Sequence, residues 1–504
     1  MCRAKGKRIL KKNIKNYTVT LNKQDYLDRV YAAWIGKNIG GTMGGPFEGT
    51  HDMPEIDGYT TSAGEPLPND DLDLQLVWLH AMEKLGPLGV NASTLGEMWN
   101  SFITAEWNEY GVAKVNMKSG LLPPLSGEYK NAWKNSNGSW IRTEIWATLM
   151  PGSPDLAARY AIEDAKVDHG SGEGTVASAF VAFMQSSAFV IHDLHKCLEL
   201  ALSAIPEDSR TAKSVRTAID CYKNGTSLTD ARNIIQRQNS DMADGWFEAP
   251  SNVAYAVLGM LYGNGDFKKS LIYAIKCGDD TDCTAATVGA TLGILGGTSA
   301  IPNELKEYIG DSIKTIAIDK TSVGASFPKS CTDLTERVAS LAPHITYMLN
   351  SPVRISNKET EIPTDILTHI EEKASIALAS CNVKPNTVRY SSPLFFADVE
   401  LNDGPEIKEL TEKKITITFG NNVGAFDSEN YSLEFRWWLP YGFDVKGPSR
   451  MILRNVVYAR HDISARTAEF TVTASSIGDE TKCVLEVTAI GRPTPLYIPI
   501  TFIN

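Results

Sequence analysis

From about residue 20 to residue 350 the apolar positions recur at helical spacing. Leu27, Val30, Tyr31 and Trp34 fall at i, i+3, i+4 and i+7 behind Asn22, which can cap a helix with Asp25 three residues on, so a helix is predicted over 22–39. A second starts at Asn69, another good cap, with Leu72, Leu76 and Leu79 as its apolar face. Further helices are predicted over 95–109, 154–168, 173–190, 193–204, 209–224, 228–237 and 252–261. After residue 350 the texture changes. A mixed stretch with a helical part over 363–379 gives way to the β-rich runs LFFADVEL, ITITF, YSLEFRWWL, MILRNVVYA, TAEFTVTA, CVLEVTAI and LYIPITFI, separated by Gly, Pro, Asn and Asp. The expected organisation is a basic tail over 1–21, an all-α domain over 22–350, a connecting segment over 351–387, and an antiparallel β-sandwich, immunoglobulin-like in outline, over 388–504.

Two stretches are too rich in small residues for ordinary amphipathic helices. Gly36, Gly40 and Gly44 recur every four residues, with Gly41 and Gly45 beside them, and lead into GGPFEG. The run CGDDTDCTAATVGATLGILGG, Cys277 to Gly297, is almost wholly Ala, Gly, Thr and short aliphatics after its acids. Glycine costs roughly 1 kcal/mol in a helix interior, so such clustering predicts close helix approach and a buried, central segment. For the first stretch a second reading stays open, in which glycines bring backbone next to a ligand and Glu48 projects into the same site.

The acids carry the candidate chemistry. Asp279, Asp280 and Asp282 repel one another unless a cation sits between them, and hard oxygen ligands select magnesium, manganese or calcium over zinc. Asp70, Asp71 and Asp73 open the second helix; the macrodipole favours acids there, but three exceed what capping needs, and Asp70 and Asp73 share a helix face. Between two helices lies DHGSGEG, where Asp168 and His169 are either loop structure or the border of a polar pocket. No GxxxxGK[ST] loop, HExxH helix or GxSxG elbow competes.

Composition narrows the classes. A chain of 504 residues is too long for one core, and 49 basic against 60 acidic side chains, a net charge of -11, argue against a nucleic-acid surface. Eight scattered cysteines without a CxxC pair argue against structural zinc and a disulfide scaffold, and for a reducing compartment. The leader MCRAKGKRILKKNIKN is basic, either a solvated tail or a contact for an acidic partner; it lacks the apolar run of a secretory signal, and no later stretch is apolar enough to span a bilayer. A soluble cytoplasmic protein is expected.

Taken in order, the glycine-rich first helix ending in GGPFEG, NDDLD opening a helix, DHGSGEG, and GDDTDCTAATVGATLGILGG resemble the ADP-ribosylglycohydrolase family over residues 22–350. The resemblance implies an all-α catalytic domain, here with a β-sandwich appended, whose two divalent cations, magnesium or manganese, serve cleavage at the anomeric carbon of ADP-ribose. In the family a Thr-Asp-Asp run and an Asp-x-Asp-Thr run hold the ions. On this chain Asp70 and Asp71 match the first acids, Asp280 and Asp282 the second, and Glu48 the acid closing the first glycine-rich motif. The resemblance and the residue pattern together give Glu48, Asp71 and Asp280 as the expected catalytic residues; Asn69, Asp70, Asp71, Asp280, Asp282 and Cys283 as metal positions; and Gly44, Gly45, His169, Gly170, Gly172, Trp246 and Phe247, the last two from their place shortly before the second acid run, as substrate contacts. The aromatic pair either stacks on a base or sugar or belongs to the core.

The departures are specific. Asn69 and Cys283 stand at the family's threonines, and Gly41 stands where an acid is usual. An amide oxygen can ligate a hard ion, whereas a thiol is a poor ligand for magnesium, so Thr284, Asp73, Asp279 or a water is left to complete the shell. Glu48 serves as general acid or base if burial raises its pKa. The expected substrate is an ADP-ribosylated protein or a small ADP-ribosyl or related glycoside; the alternative is a non-catalytic descendant that keeps the fold and its metal. On the β module, adjacent Trp437 and Trp438 must point to opposite faces, which leaves carbohydrate binding, shaping of the active-site rim, self-association and a purely structural role open.

Overall fold

The computed structural model describes residues 17–62, 64, 66–242, 246–318, 326–392, 395–421, 431–453, 466–492 and 494–504. The basic leader over 1–16 lies outside them, as do Asp244, Gly245 and the part of the fourth β-rich run beyond Leu453. In chain order the helical part comprises β1 (Val19–Asn22), α1 (Lys23–Gly44), α2 (Asp70–Gly89), α3 (Ala92–Phe102), α4 (Asn108–Lys118), α5 (Leu125–Glu128), α6 (Glu144–Leu149), α7 (Pro154–Ala165) and α8 (Glu173–Ala188). It continues with α9 (Leu194–Ser203), α10 (Arg210–Lys223), α11 (Leu228–Gln238), α12 (Ala249–Gly263), α13 (Phe267–Lys276), α14 (Thr281–Gly296), α15 (Asn303–Ile309), α16 (Cys331–Met348), β2 (Val353–Ser356) and α17 (Ile366–Ser380). Asn22 caps α1 as its sequence predicts, its side chain accepting from the backbone of Gln24 and Asp25.

α1 and α14 run antiparallel at the centre with backbone against backbone. A Cβ on Gly36 would lie 2.3 Å from the Gly289 carbonyl oxygen, one on Gly40 2.2 Å from that of Ala285, and one on Gly44 2.2 Å from that of Thr281. From the other side, a Cβ on Gly293 would lie 2.3 Å from the Ala32 oxygen. Thr281 locks the end of the seam by donating its hydroxyl to the Gly44 carbonyl at 2.8 Å. This contact explains why α1 continues to Gly44, past its predicted end at 39: glycines that weaken an isolated helix are here the condition of its packing.

Two departures from the predicted elements have identifiable causes. The helix expected over 95–109 stops at Phe102, because Thr104 donates its backbone N–H to Ala317 at 2.8 Å and Ile103 bridges Ile318; the chain re-enters a helix only at Asn108. The stretch that reads as tail and connector closes the helical body instead: β1 pairs in parallel with β2, Val19 opposite Val353, and α17 buries Ile370, Ala374 and Ala377 in the same apolar core as α1 and α14. Among the described residues, no helix is long and apolar enough to cross a membrane.

The remaining strands are β3 (Thr387–Ser391), β4 (Phe395–Leu401), β5 (Lys413–Asn421), β6 (Tyr431–Trp438), β7 (Phe443–Lys446), β8 (Arg450–Leu453), β9 (Arg466–Ala474), β10 (Glu480–Ala489) and β11 (Leu496–Ile503). They form two antiparallel sheets, ordered β11-β10-β6-β8 and β3-β4-β5-β9-β7, over a shared core that includes Phe419, Phe470, Leu485 and Ile498. Leu121 and Leu125 of the helical part insert into that core. Trp437 packs edge-on against Phe470, while Trp438 is exposed, with the Arg436 guanidinium 4.0 Å from its ring centre and its indole N–H donated to Glu486.

Gly40→Ala is expected to lower the urea midpoint by the equivalent of about 3 kcal/mol, because backbone cannot yield as a side chain can. An unchanged midpoint would mean that α1 and α14 are not in backbone contact.

Candidate active site

The antiparallel seam puts the end of α1 beside the start of α14, so the turn after α1 carries Glu48 to the acids of the last motif. Gly278 (φ 76°) and Asp279 (φ 66°) bend the chain into α14. Asp279 does not join the acid cluster expected of it. Its backbone ties down the Glu48 turn, accepting from Gly49 N–H at 2.8 Å and donating to Thr50 at 2.7 Å. Its carboxylate accepts from Phe247 N–H at 3.0 Å and from the Asn252 amide at 2.7 Å. Asp73 is turned to another segment, one of its oxygens accepting from the backbone N–H groups of Ile316 and Ala317, and unlike Asp70 it does not line the cavity described next.

Glu48, Asp70, Asp280 and Asp282, with Asn69 and Cys283, line a cavity of about 510 Å³. Glu48, Asp280 and Asp282 each offer a carboxylate oxygen within 4.8 Å of the others; Asp71, Asp282 and Cys283 form a second group by the same measure. Oδ1 of Asp280 and Oδ1 of Asp282 are buried without a hydrogen-bond partner. Such oxygens, buried among other carboxylates, are costly unless a cation lies between them, and a carboxylate-rich face suits a hard divalent ion. The other Asp280 oxygen is held by the Asn137 amide at 2.7 Å, and Asn137 is held by the Trp140 indole at 3.0 Å. Tyr110 donates its hydroxyl to Asp70 at 3.1 Å.

The electrostatics follow from the crowding. The Asp282 charge, then burial, then Asp70 raise Glu48 to about 7, although its side chain is exposed at the mouth. Burial and then Asp282 raise Asp70 to about 6, against the Tyr110 hydrogen bond. Burial, reinforced by Asp282, holds Asp280 well above the usual range. Cys283 is kept a neutral thiol by burial and the surrounding acids, and donates to Asp71 Oδ1 at 3.2 Å.

The other expected contacts distribute unevenly. Phe247, held at φ 56° by its bond to Asp279, lines the cavity; Trp246 does not, stacking instead on His51 at 3.5 Å and 1°. Gly44 and Gly45 are packing positions, against Thr281 and Leu67, outside the cavity lining. His169 is buried behind the wall, its Nδ1 2.9 Å from Asp168 and its Nε2 3.3 Å from the hydroxyl of the lining residue Ser136. Gly170 and Gly172 pack against Glu128 and Lys134. Arg142 grips both Asp164 and Asp168 in the same wall.

Sequence reasoning passed over Trp107, Glu109, Tyr110 and Asn137 of the lining, and Lys37 behind it. Only Lys37 carries a local signal, a cation inside the glycine-spaced face of a helix that the rest of the pattern buries. A second cavity of about 660 Å³ lies at the seam with the β module, lined in part by Arg159, Lys166 and Arg389, and shares no lining residue with the first.

A helical body with a carboxylate-lined cavity at the mouth of its central helix pair defines the class of site. The ADP-ribosylglycohydrolase family model matches residues 22–333, and the chain belongs to that family of hydrolases. A solved chain described as an ADP-ribosylglycohydrolase-related protein complex is similar at 17% identity and a TM-score of 0.41, over 64% of this chain and 99% of that one. No curated protein matches by sequence.

In the unfolded chain Glu48 and Asp70 ionise near their ordinary 4.5 and 3.8, but in the folded metal-free protein only near 7 and 6. They therefore favour the fold below about pH 4, and that contribution is lost as the pH rises through about 6 to 7. Thermal melts in chelator should show a lower Tm at about pH 8 than at about pH 5 from this cluster, and Mg²⁺ should raise Tm more at the higher pH. Equal Mg²⁺ shifts at both would separate these acids from metal binding.

Proposed function

We propose that the chain is a divalent-metal-dependent glycohydrolase that cleaves an N- or O-glycosidic bond at the anomeric carbon of an ADP-ribosyl or related group, on a protein or a small molecule. Family membership supports the reaction class, and one observation carries the metal dependence: carboxylate oxygens of Glu48, Asp280 and Asp282 within 4.8 Å of one another, two of these acids having a buried oxygen without a partner, beside an open cavity. Oxygen-only donors favour Mg²⁺, with Mn²⁺ as the alternative. A bound divalent cation supplies positive charge that orients sugar hydroxyls and lowers the pKa of a water toward neutrality.

The protein's own groups do the rest. Asn137 holds one Asp280 oxygen, which leaves the other as the one that would hold the cation. Glu48, exposed at the mouth of the cavity, exchanges a proton with the attacking water or the leaving group as positive charge develops at the anomeric carbon. Asp70, oriented by Tyr110, completes the acidic face, and Phe247 with half-exposed Trp107 offers flat apolar surface to the substrate. A non-catalytic descendant would hold a cation on the same oxygens, so turnover is what separates the two readings.

ADP-ribosyl-arginine, ADP-ribosyl-serine and free nucleotide sugars, assayed with and without Mg²⁺, test this. Glu48→Gln is expected to slow turnover by about 10²- to 10⁴-fold and Asp280→Ala to abolish it. A folded, metal-binding protein that turns over none of these would favour the non-catalytic descendant.

A further inference from the structure

Asp71 differs from Asp70, Asp280 and Asp282, which line the cavity. It is 0% exposed and does not line the cavity. One oxygen accepts the Cys283 thiol at 3.2 Å. The other faces the ammonium of Lys37 at 3.7 Å. Lys37 is itself buried, donates to the Ile141 carbonyl at 2.6 Å, and lies 3.2 Å from Glu144. Glu144 is fixed in turn by the Gln75 and Gln185 amides at 2.9 and 3.0 Å. Two buried carboxylates thus share one cation and three further donors, and the Asp71 oxygen facing Lys37 makes an ion pair without a hydrogen bond.

The geometry of α1 explains how it arises. Gly36, Gly40 and Gly44 face α14, and the adjacent stripe of Lys37 and Gly41 faces the start of α2. A Cβ on Gly41 would lie 2.3 Å from the Asn69 amide nitrogen, so Asn69 occupies the room that an acid at position 41 needs. The Asn69 oxygen caps α2 by accepting from Asp71 N–H at 2.7 Å. The departures at 41, 69 and 283 are therefore coupled to one another and to Lys37.

We infer that this site is built for a single divalent cation on its Glu48–Asp280–Asp282 side, and that Lys37 stands in for the second cation that the family resemblance implies. The inference rests on the metal-dependent reading above. A divalent ion on Asp71 would sit near a buried ammonium, where like charges repel strongly, and would have a thiol in place of an oxygen ligand. Removing the lysine is no remedy, because Glu144 and Asp71 would then be buried without their counter-ion. Several carboxylates around one ion is an ordinary ligand charge for a hard cation. Lys37 and Cys283 are thus positioning residues that act through Asp71.

The test uses the full-length protein, stripped with chelator and titrated with Mn²⁺ by calorimetry and electron paramagnetic resonance. One Mn²⁺ per chain with an isolated-ion signal is expected; two per chain, or a spin-coupled pair, overturns the inference while leaving the glycohydrolase reading standing. No binding at all overturns both. Asp71→Asn, with its fold checked by circular dichroism, should weaken Mn²⁺ binding by less than about tenfold, and Asp282→Asn by about 100-fold or more. Equal losses would make Asp71 a ligand and overturn the inference; if Asp71→Asn fails to fold, the wild-type stoichiometry decides.

Discussion

The backbone contact between α1 and α14 is the constraint on which the rest depends. Its energy comes from close packing of many small groups, none individually strong, and it tolerates no side chain at Gly36, Gly40 or Gly44. Because the helices are antiparallel, the seam delivers the last residue of one to the first residue of the other. Glu48 leaves the first helix within 4 residues of Gly44, and Asp280 and Asp282 bracket the start of the second, so acids over 230 residues apart in sequence meet at one cavity.

Collecting these acids carries an electrostatic cost that the surroundings only partly offset. Asn137, Tyr110 and the Cys283 thiol each donate to an acid, and each such bond also fixes which oxygen is left over. Some of the backbone strain falls at the same place. Asp279 and Phe247 both hold positive φ, stabilised by the two-point contact between them. Local compromise of this kind is expected where a site must hold groups ready for a ligand. The wall behind is stiff by comparison: buried Arg142 binds Asp164 and Asp168 together while lying against Trp99.

The β module is attached to this wall as well as to the chain. Leu121 and Leu125 enter its core, and Tyr129 and Lys130 both bind Glu406. The segment that contributes these residues runs on to Asn137, the residue that orients Asp280. The module is therefore packed against a segment that shapes the site, while Trp438, on the sheet β11-β10-β6-β8, is exposed.

Helical periodicity, alternation in the β-rich runs and the clustering of acids after glycine-rich or capping residues are local properties, and they were legible along the chain by themselves. So were the helical body, the β module and the acid clusters over 70–73 and 279–282, with Asn22 and Asn69 as caps. The choice among neighbouring acids was not. Asp279 differs from Asp280 by a single backbone reversal, and Asp73 differs from Asp70 by whether the 316–317 backbone reaches it. Nor were Trp107, Tyr110 and Asn137, or the break after Phe102, legible, since these depend on segments that meet only in the folded chain. The sequence determined which residues carry charge and which helices must approach closely; tertiary structure alone decided which carboxylate oxygens remain unpaired, because a hydrogen bond is settled by the position of its partner and not by the identity of the acid.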